Sequence, residues 1–263
     1  MHPSVDKGFT PDDVMAVAAS REIRDGEVCL VGTGLPVVAA YLAQYTHAPS
    51  AVLIFESGII GAQPVHLATG VGDFSLLKNC VKASGLYYAL SLLQRGRIDL
   101  GFLGAAEIDQ YGNLNSTVIG DYRRPKVRLP GSGGANDIGS QAKRTVIIIP
   151  HERRKFPARL HYLTTPGHLS GPGARESAGL RPGGPSRVIT NLAVLGFDEV
   201  TKRMRLESLH PGVSLQAVLD NTEFPLLIPD PVPPTTPPTP EQLALLRRID
   251  PAGVYINKLS KKG

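Results

Sequence analysis

The run Ile54-Phe55-Glu56-Ser57-Gly58-Ile59-Ile60-Gly61 places a lone carboxylate at the end of an apolar stretch and follows it with a Ser-Gly turn. In open α/β sheets the carboxyl ends of the strands line the ligand crevice, so Glu56 would project into a site from a rigid element. A carboxylate beside apolar neighbours is costly to keep ionised unless donors or a substrate match it. Backbone N–H groups of the same turn could equally satisfy it, and the block alone does not choose. A second block, Leu103-Gly104-Ala105-Ala106-Glu107-Ile108-Asp109, leads through Gln110-Tyr111 into Gly112-Asn113-Leu114-Asn115-Ser116-Thr117. Here a strand ends in acids and a polar turn. In a third, Gly131-Ser132-Gly133-Gly134-Ala135-Asn136-Asp137, clustered glycines before a small residue let backbone N–H groups converge on an oxygen. An ordinary flexible loop would read the same way.

Other chemistries lack their residues. HExxH and CxxC are absent, and no tight His/Asp/Glu cluster suggests a metal. Ser132 follows Pro130-Gly131 and Ser57 follows a glutamate, so neither lies in a G-x-S-x-G elbow. No P-loop occurs. Gly32-Thr33-Gly34 lacks the third glycine of a dinucleotide fingerprint and reads first as a tight turn.

Alternating helices and strands must carry these blocks. Thr10-Pro11-Asp12-Asp13 combines a hydroxyl cap, an early proline and first-turn acids, so a helix starts there and stops near Asp25-Gly26. Strands are expected at Val28–Val31, Ala51–Phe55, Leu100–Leu103 and Thr145–Ile149, with helices over Pro36–Tyr45 and Phe74–Arg95. The strands are apolar runs and do not alternate, as in strands covered on both faces. The expected fold is α/β: an open, mostly parallel sheet in a three-layer sandwich.

After Pro150 the pattern changes. His161–Thr165, Arg187–Phe197 and Arg203–Leu209 read as strands, and Pro166–Pro185 as a Gly/Pro-rich loop or partner-facing flap. A helix is expected over Ser214–Asn221. Pro229–Pro240 holds seven prolines in twelve residues, a stiff extended arm expected to lie on its own protein or a neighbour. A last helix covers Gln242–Ile249. The chain thus reads as a single domain over 1–263, with a core at about 10–228 and the arm and final helix at about 229–263.

Composition narrows the classes further. Of 263 residues, 42% are hydrophobic and 19% charged, which excludes wholesale disorder. The longest apolar runs fall far short of the ~20 residues of a membrane-spanning helix, so no membrane partner is expected. MHPSVDKGFT has no apolar signal-peptide region, and Cys29 and Cys80, read as small buried core residues, suit a reducing cytosol. A cytoplasmic location follows as the expectation. The net charge of +5 favours an anionic ligand without demanding one. Its basic clusters, Arg123–Arg124, Arg153–Lys155 and Lys261–Lys262, lack a stacking platform and read as solvated surface, so no nucleic-acid partner is expected.

Taken together and in this order, the blocks around Glu56, Gly104–Asn115 and Gly131–Asp137, with Val188–Val194 and Leu206–Thr222, resemble the β subunit of class I coenzyme A transferases. The likeness is closest to the glutaconate CoA-transferase type and covers most of the chain. It implies the open α/β fold shared with ribose-5-phosphate isomerases. It also implies that Glu56 is the nucleophile, followed by Ser57 where many relatives carry asparagine, and that Gly134 donates an N–H to an oxyanion. Ser57, Gly58, Gly133, Ala135, Glu107 and Asn115 fall in the site-lining blocks, with Gly133 and Ala135 as supports. Asp109 could simply cap its turn.

The reaction this resemblance implies moves CoA from an acyl-CoA to a free carboxylic acid through a glutamyl-CoA thioester, with ping-pong kinetics. Coenzyme A and acyl-CoA are then substrates, and no resident cofactor or metal is expected. The glycine motif of the α half is missing, so a separate α subunit would complete the site, most simply as α2β2. Hydrolases and decarboxylases built on the same scaffold are the alternative activity.

Overall fold

The computed structural model describes residues 8–63 and 66–256. Its strands are β1 Val28–Val31, β2 Val52–Phe55, β3 Ile59–Ile60, β4 Lys82–Ala83, β5 Leu100–Leu103, β6 Glu107–Ile108, β7 Leu114–Asn115, β8 Val118–Gly120, β9 Pro125–Arg128, β10 Arg144–Ile148, β11 Pro185–Ile189, β12 Ala193–Phe197 and β13 Met204–Leu209. Its α-helices are α1 Pro11–Ser20, α2 Leu35–Tyr45, α3 Leu86–Gln94, α4 Ala135–Gln141, α5 Ala174–Ser177, α6 Leu215–Asp220 and α7 Pro240–Ile249. Nine strands form a sheet in the order β13-β12-β11-β10-β5-β1-β2-β3-β4. The centre, from β11 to β2, is parallel, and both flanks run antiparallel. That is the expected open sheet, extended at each side by pairings not anticipated from the apolar runs.

Strand alternation distributes the core over two faces. Leu53 and Phe55 join α1, α2 and α7 in one buried cluster, whereas Ile54 and Leu30 point to the cluster that holds Ala89, Leu93 and Ile138 of α3 and α4. Helices therefore cover both faces, in three layers. Each fully buried Leu, Ile or Phe contributes roughly 1.5–3 kcal/mol. Helix α1 starts as its residues require: Thr10 Oγ1 accepts the Asp13 N–H, and the Asp13 carboxylate accepts the Thr10 N–H.

Three elements differ from expectation. The stretch Phe74–Arg95 is not one helix. A single 3-10 turn over Phe74–Leu77 gives way to edge strand β4, and only Leu86–Gln94 is α-helical. The physical reason is the neighbouring strand: β3 would otherwise expose its backbone edge, and Lys82 and Ala83 pair with Ile60 and Ile59. Cys29 is buried, but Cys80, on this segment, is only half-buried. Arg187–Phe197 splits into β11 and β12, because Thr190 Oγ1 accepts the N–H groups of Leu192 and Ala193 and turns the chain. His161–Thr165 is no strand but a strap, held to Leu114 by an isolated bridge at Thr165 and by the Thr164 N–H, which donates to Leu114 O (2.9 Å).

The remaining segments lie on their own chain. In the loop Pro166–Pro185, buried Arg175 donates to the carbonyls of Gly167 (2.7 Å) and Gly139 (3.1 Å), tying the expected flap to α4. The proline arm is held by Arg21, whose guanidinium donates to Thr236 O (2.6 Å) and Pro237 O (3.1 Å). Helix α7 then pairs Arg247 with the buried Asp13 carboxylate through two hydrogen bonds of 2.5 and 2.8 Å. Lys261–Lys262 lies outside the described residues.

Candidate active site

Glu56 stands at the tip of a tight turn between β2 and β3. Gly58 N–H donates to Phe55 O (2.8 Å), and the chain reverses at once, so Ile60 pairs with Ile54. Gly58 makes the turn possible. Its φ is 98°, and a Cβ there would lie 2.6 Å from the Gly85 nitrogen. The turn is thereby locked against the residue that opens α3. Because Ile54 points to the α3/α4 face, the alternation carries Glu56 to that face as well.

There it meets the glycine block. A Cβ on Gly134 would stand 2.6 Å from Glu56 Oε1, so only glycine lets the backbone approach the carboxylate this closely. Gly134 occupies the cap position of α4, and Gly131 and Gly133 take φ values of 95° and 48°. The Ala135 N–H is consumed by Ser132 O (2.9 Å). Among the described residues no acceptor takes the Gly134 N–H, and no donor reaches the half-buried Glu56 carboxylate. Among the described residues, then, a carboxylate and an N–H that both lack partners stand side by side. Ser57 Oγ is also buried and, among the described residues, lacks a hydrogen-bond partner.

Glu107 and Asn115 form the layer behind the loop. Both are buried. Asn115 Nδ2 donates to Glu107 Oε2 (2.7 Å) and Val118 O (2.7 Å), while its Oδ1 accepts the N–H groups of Thr117 and Val118. Glu107 Oε1 lies 2.6 Å from His161 Nδ1, and its Oε2 accepts the His161 N–H. Asp109 caps a turn through the N–H groups of Tyr111 and Asn113, and burial raises its carboxyl above the usual range despite the hydrogen bonds it accepts.

Sequence reasoning misses Ser116 and Thr164, which connect this layer to the loop. Ser116 Oγ donates to Gly131 O (2.9 Å), Gly131 N–H donates to Ser116 O (2.8 Å), and Ser116 N–H donates to Thr164 Oγ1 (2.9 Å). Asn136 Nδ2 reaches Thr164 O (3.3 Å). Ser116 sits inside the polar turn after β7, so its block is visible in the sequence although its task is not.

The coenzyme A transferase family model matches residues 13–221, which contain the Glu56 turn, the Glu107–Asn115 hairpin and the glycine loop. The chain belongs to the coenzyme A transferase family. It is 42% identical over 92% of its length to the B-type subunit of the 3-oxoadipate CoA-transferase of Pseudomonas knackmussii, covering 94% of that protein. It is 40% identical over 94% of its length to the B-type subunit of the glutaconate CoA-transferase of Acidaminococcus fermentans, covering 95% of it. The crystal structure of that glutaconate enzyme superposes with a TM-score of 0.89 at 38% identity, over 94% of this chain and 97% of the other. The decarboxylase AibA/AibB is also similar, with a TM-score of 0.81 at 26% identity over 94% of this chain and 97% of the other.

Within this coenzyme A transferase, two of the three sequence blocks meet directly, Glu56 against Gly134, and the third supports them from behind. The Gly32-Thr33-Gly34 turn enters α2 from a strand adjacent to β2, with Gly34 at φ 94° and no side-chain cap. Among the described residues no group of three His, Cys, Asp or Glu side chains is placed to hold a metal ion, and no helix is long and apolar enough to cross a membrane.

Proposed function

We propose that this chain is the catalytic B-type subunit of a heteromeric CoA-transferase that moves CoA between an acyl-CoA and a free carboxylic acid. The Glu56 carboxylate, packed against the Gly134 backbone and without a hydrogen-bond partner among the described residues, is the observation that carries the reading. A Glu56 oxygen attacks the thioester carbonyl, the C–S bond breaks, and a mixed anhydride forms as CoA thiolate leaves. The thiolate then attacks the glutamyl carbonyl. The anhydride C–O bond breaks, the first acid departs as carboxylate, and CoA remains as a thioester on Glu56. A second carboxylate runs the two steps in reverse, so the thioester bond energy is conserved and the kinetics are ping-pong.

Each attack makes an oxyanion. The Gly134 N–H, with no acceptor among the described residues, is the donor to stabilise it, whereas Ala135 is committed to Ser132 and serves as support, as does Gly133. Ser57 Oγ is available to a ligand or partner oxygen, and Gly58 holds the turn. Glu107 and Asn115 act from behind, by fixing the hairpin on which the glycine loop rests. The chemistry as drawn uses no resident cofactor or metal, and CoA and acyl-CoA enter as substrates in the cytoplasm.

The site of one chain is open on one side. Phe74 (85% exposed), Val81 (84%) and Tyr87 (88%) are large apolar side chains left exposed along the segment that packs against the Glu56 turn. That supports an A-type subunit covering this edge, in an α2β2 assembly. The similarity to AibA/AibB is the observation favouring a second reading, decarboxylation or hydrolysis on the same frame. The retained carboxylate at position 56 favours transfer.

The test is to co-express the chain with an A-type subunit, incubate the complex with candidate acyl-CoAs and map adducts by mass spectrometry. A CoA thioester on Glu56, absent in Glu56→Gln and discharged by a carboxylic acid to a new acyl-CoA, is the expected result. Turnover to free CoA or carbon dioxide without any adduct would replace transfer by the second reading.

A further inference from the structure

The hairpin of β8 and β9 leads straight into the glycine loop: Val118 pairs with Arg128, Leu129 N–H donates to Thr117 O, and Gly131 N–H to Ser116 O. Its outer part is strongly basic. Arg123, Arg124, Lys126 and Arg128 are all exposed, and among the described residues none of them forms an ion pair. The nearest acid in sequence, Asp121, is exposed and folds back onto its own turn, its carboxylate accepting the backbone N–H groups of Arg123 and Arg124. Unpaired like charges crowded on one hairpin repel each other and are poised for a polyanion.

The same hairpin carries a stacking platform. The Tyr122 and Tyr162 rings lie 5.3 Å apart at an interplanar angle of 22°. Arg128 stands over Tyr122, 4.9 Å from its centroid, and donates to Tyr122 O. Tyr122 thus contacts both a guanidinium and a second ring, and among the described residues no third ring lies against the pair. Tyr162 is partly exposed, so a planar base can extend the stack. The sequence alone shows no such platform, because Tyr162 comes from the strap, forty positions away in the chain.

We infer that this basic hairpin, with the Tyr122–Tyr162 stack, is the docking site for the phosphorylated adenosine end of coenzyme A. The ligand needs an aromatic base, clustered phosphates, and an arm reaching the reacting thioester at Glu56. A 3′-phosphorylated adenosine diphosphate on a pantetheine arm has all three, and the hairpin ends where the Gly134 loop begins. The inference rests on the CoA-transferase reading and specifies how that site holds its substrate.

Binding of CoA, dephospho-CoA and pantetheine to the complex with the A-type subunit, measured by calorimetry, tests it. The wild type should bind CoA more tightly than dephospho-CoA, and both more tightly than pantetheine. Arg123→Ala/Arg124→Ala should weaken CoA about tenfold or more and close the gap to dephospho-CoA. Tyr162→Ala should weaken both nucleotides by about the same factor, and neither variant should change pantetheine. Unchanged CoA affinity in these variants, or an equal loss for pantetheine, would overturn the inference and leave the CoA-transferase reading standing. Loss of the complex on gel filtration would reassign the basic hairpin to an acidic partner surface, and tighter binding of a ribooligonucleotide than of CoA would reassign it to nucleic acid. A wild-type complex that binds neither CoA nor pantetheine would instead remove the CoA-transferase reading, and the inference with it.

Discussion

At the scale of single residues, the site depends on how closely a backbone can approach a carboxylate. Gly134 is within reach of Glu56 only because it has no Cβ, so Gly134→Ala places a methyl group on Glu56 Oε1. The variant should fold, yet lose about 10²–10³ in kcat, because the donor and the carboxylate are both displaced. Steady-state kinetics with circular dichroism separates that from unfolding, and wild-type kcat in a folded G134A would remove Gly134 from the site. Glu56→Gln should lose at least about 10³ in kcat and all of the CoA adduct, since an amide cannot be acylated and exchanged in the same way.

At the scale of elements, the turn that presents Glu56 is held by backbone contact with another element. Gly58→Ala puts a Cβ 2.6 Å from the Gly85 nitrogen at a φ of 98°. A loss of more than about 2 kcal/mol in a urea titration is expected, from strain and overlap together. The hairpin β6–β7 is the second such support. Asn115→Ala removes one donor from the buried Glu107 carboxylate and leaves the Val118 carbonyl unpaired, which should cost about 1–3 kcal/mol. An Asn115→Ala protein with wild-type stability would show that Ser116 and Thr164 alone hold the glycine loop. Periodicity fails at this scale in Phe74–Arg95, where edge pairing with β3 overrides helical spacing.

At the scale of the whole molecule, the half of the sheet built from β11 to β13 is closed by buried histidines. His151 lies between Thr190 and Thr222, and His210 between Thr235 and Thr190 O. His168 Nε2 donates to Pro185 O, at the end of the loop that Arg175 ties down; a carbonyl only accepts, so this nitrogen carries the ring proton. Burial pushes His151 down to about 3, and His168 and His210 down to about 4. All three are therefore neutral when folded, while the unfolded chain's histidines take up protons below about pH 6.5. The unfolded state binds more protons between about pH 4 and 6.5, so this stability is complete above the window and is lost as pH falls through it. Each histidine should destabilise by about 2 kcal/mol at pH 5 relative to pH 7. Equal urea midpoints at the two pH values would show that these rings stay solvated.

Much of this protein is legible before any fold is known. The parallel strands show as apolar runs, helix α1 by its capping box, and the candidate nucleophile as a glutamate that ends a buried strand, because these are local properties of consecutive residues. The order of the blocks identifies the family for the same reason. Tertiary structure decides everything that depends on residues distant in the chain. Only folding sets Gly134 on Glu56, across seventy-eight positions, and turns Glu107 and Asn115 inward as supports for the glycine loop. It also breaks the expected helix to pair an open strand edge, and it brings Tyr162 onto Tyr122 to make a platform from a cluster that reads as solvated surface. Close approach and hydrogen-bond satisfaction are settled between elements, and no periodicity along the chain encodes them.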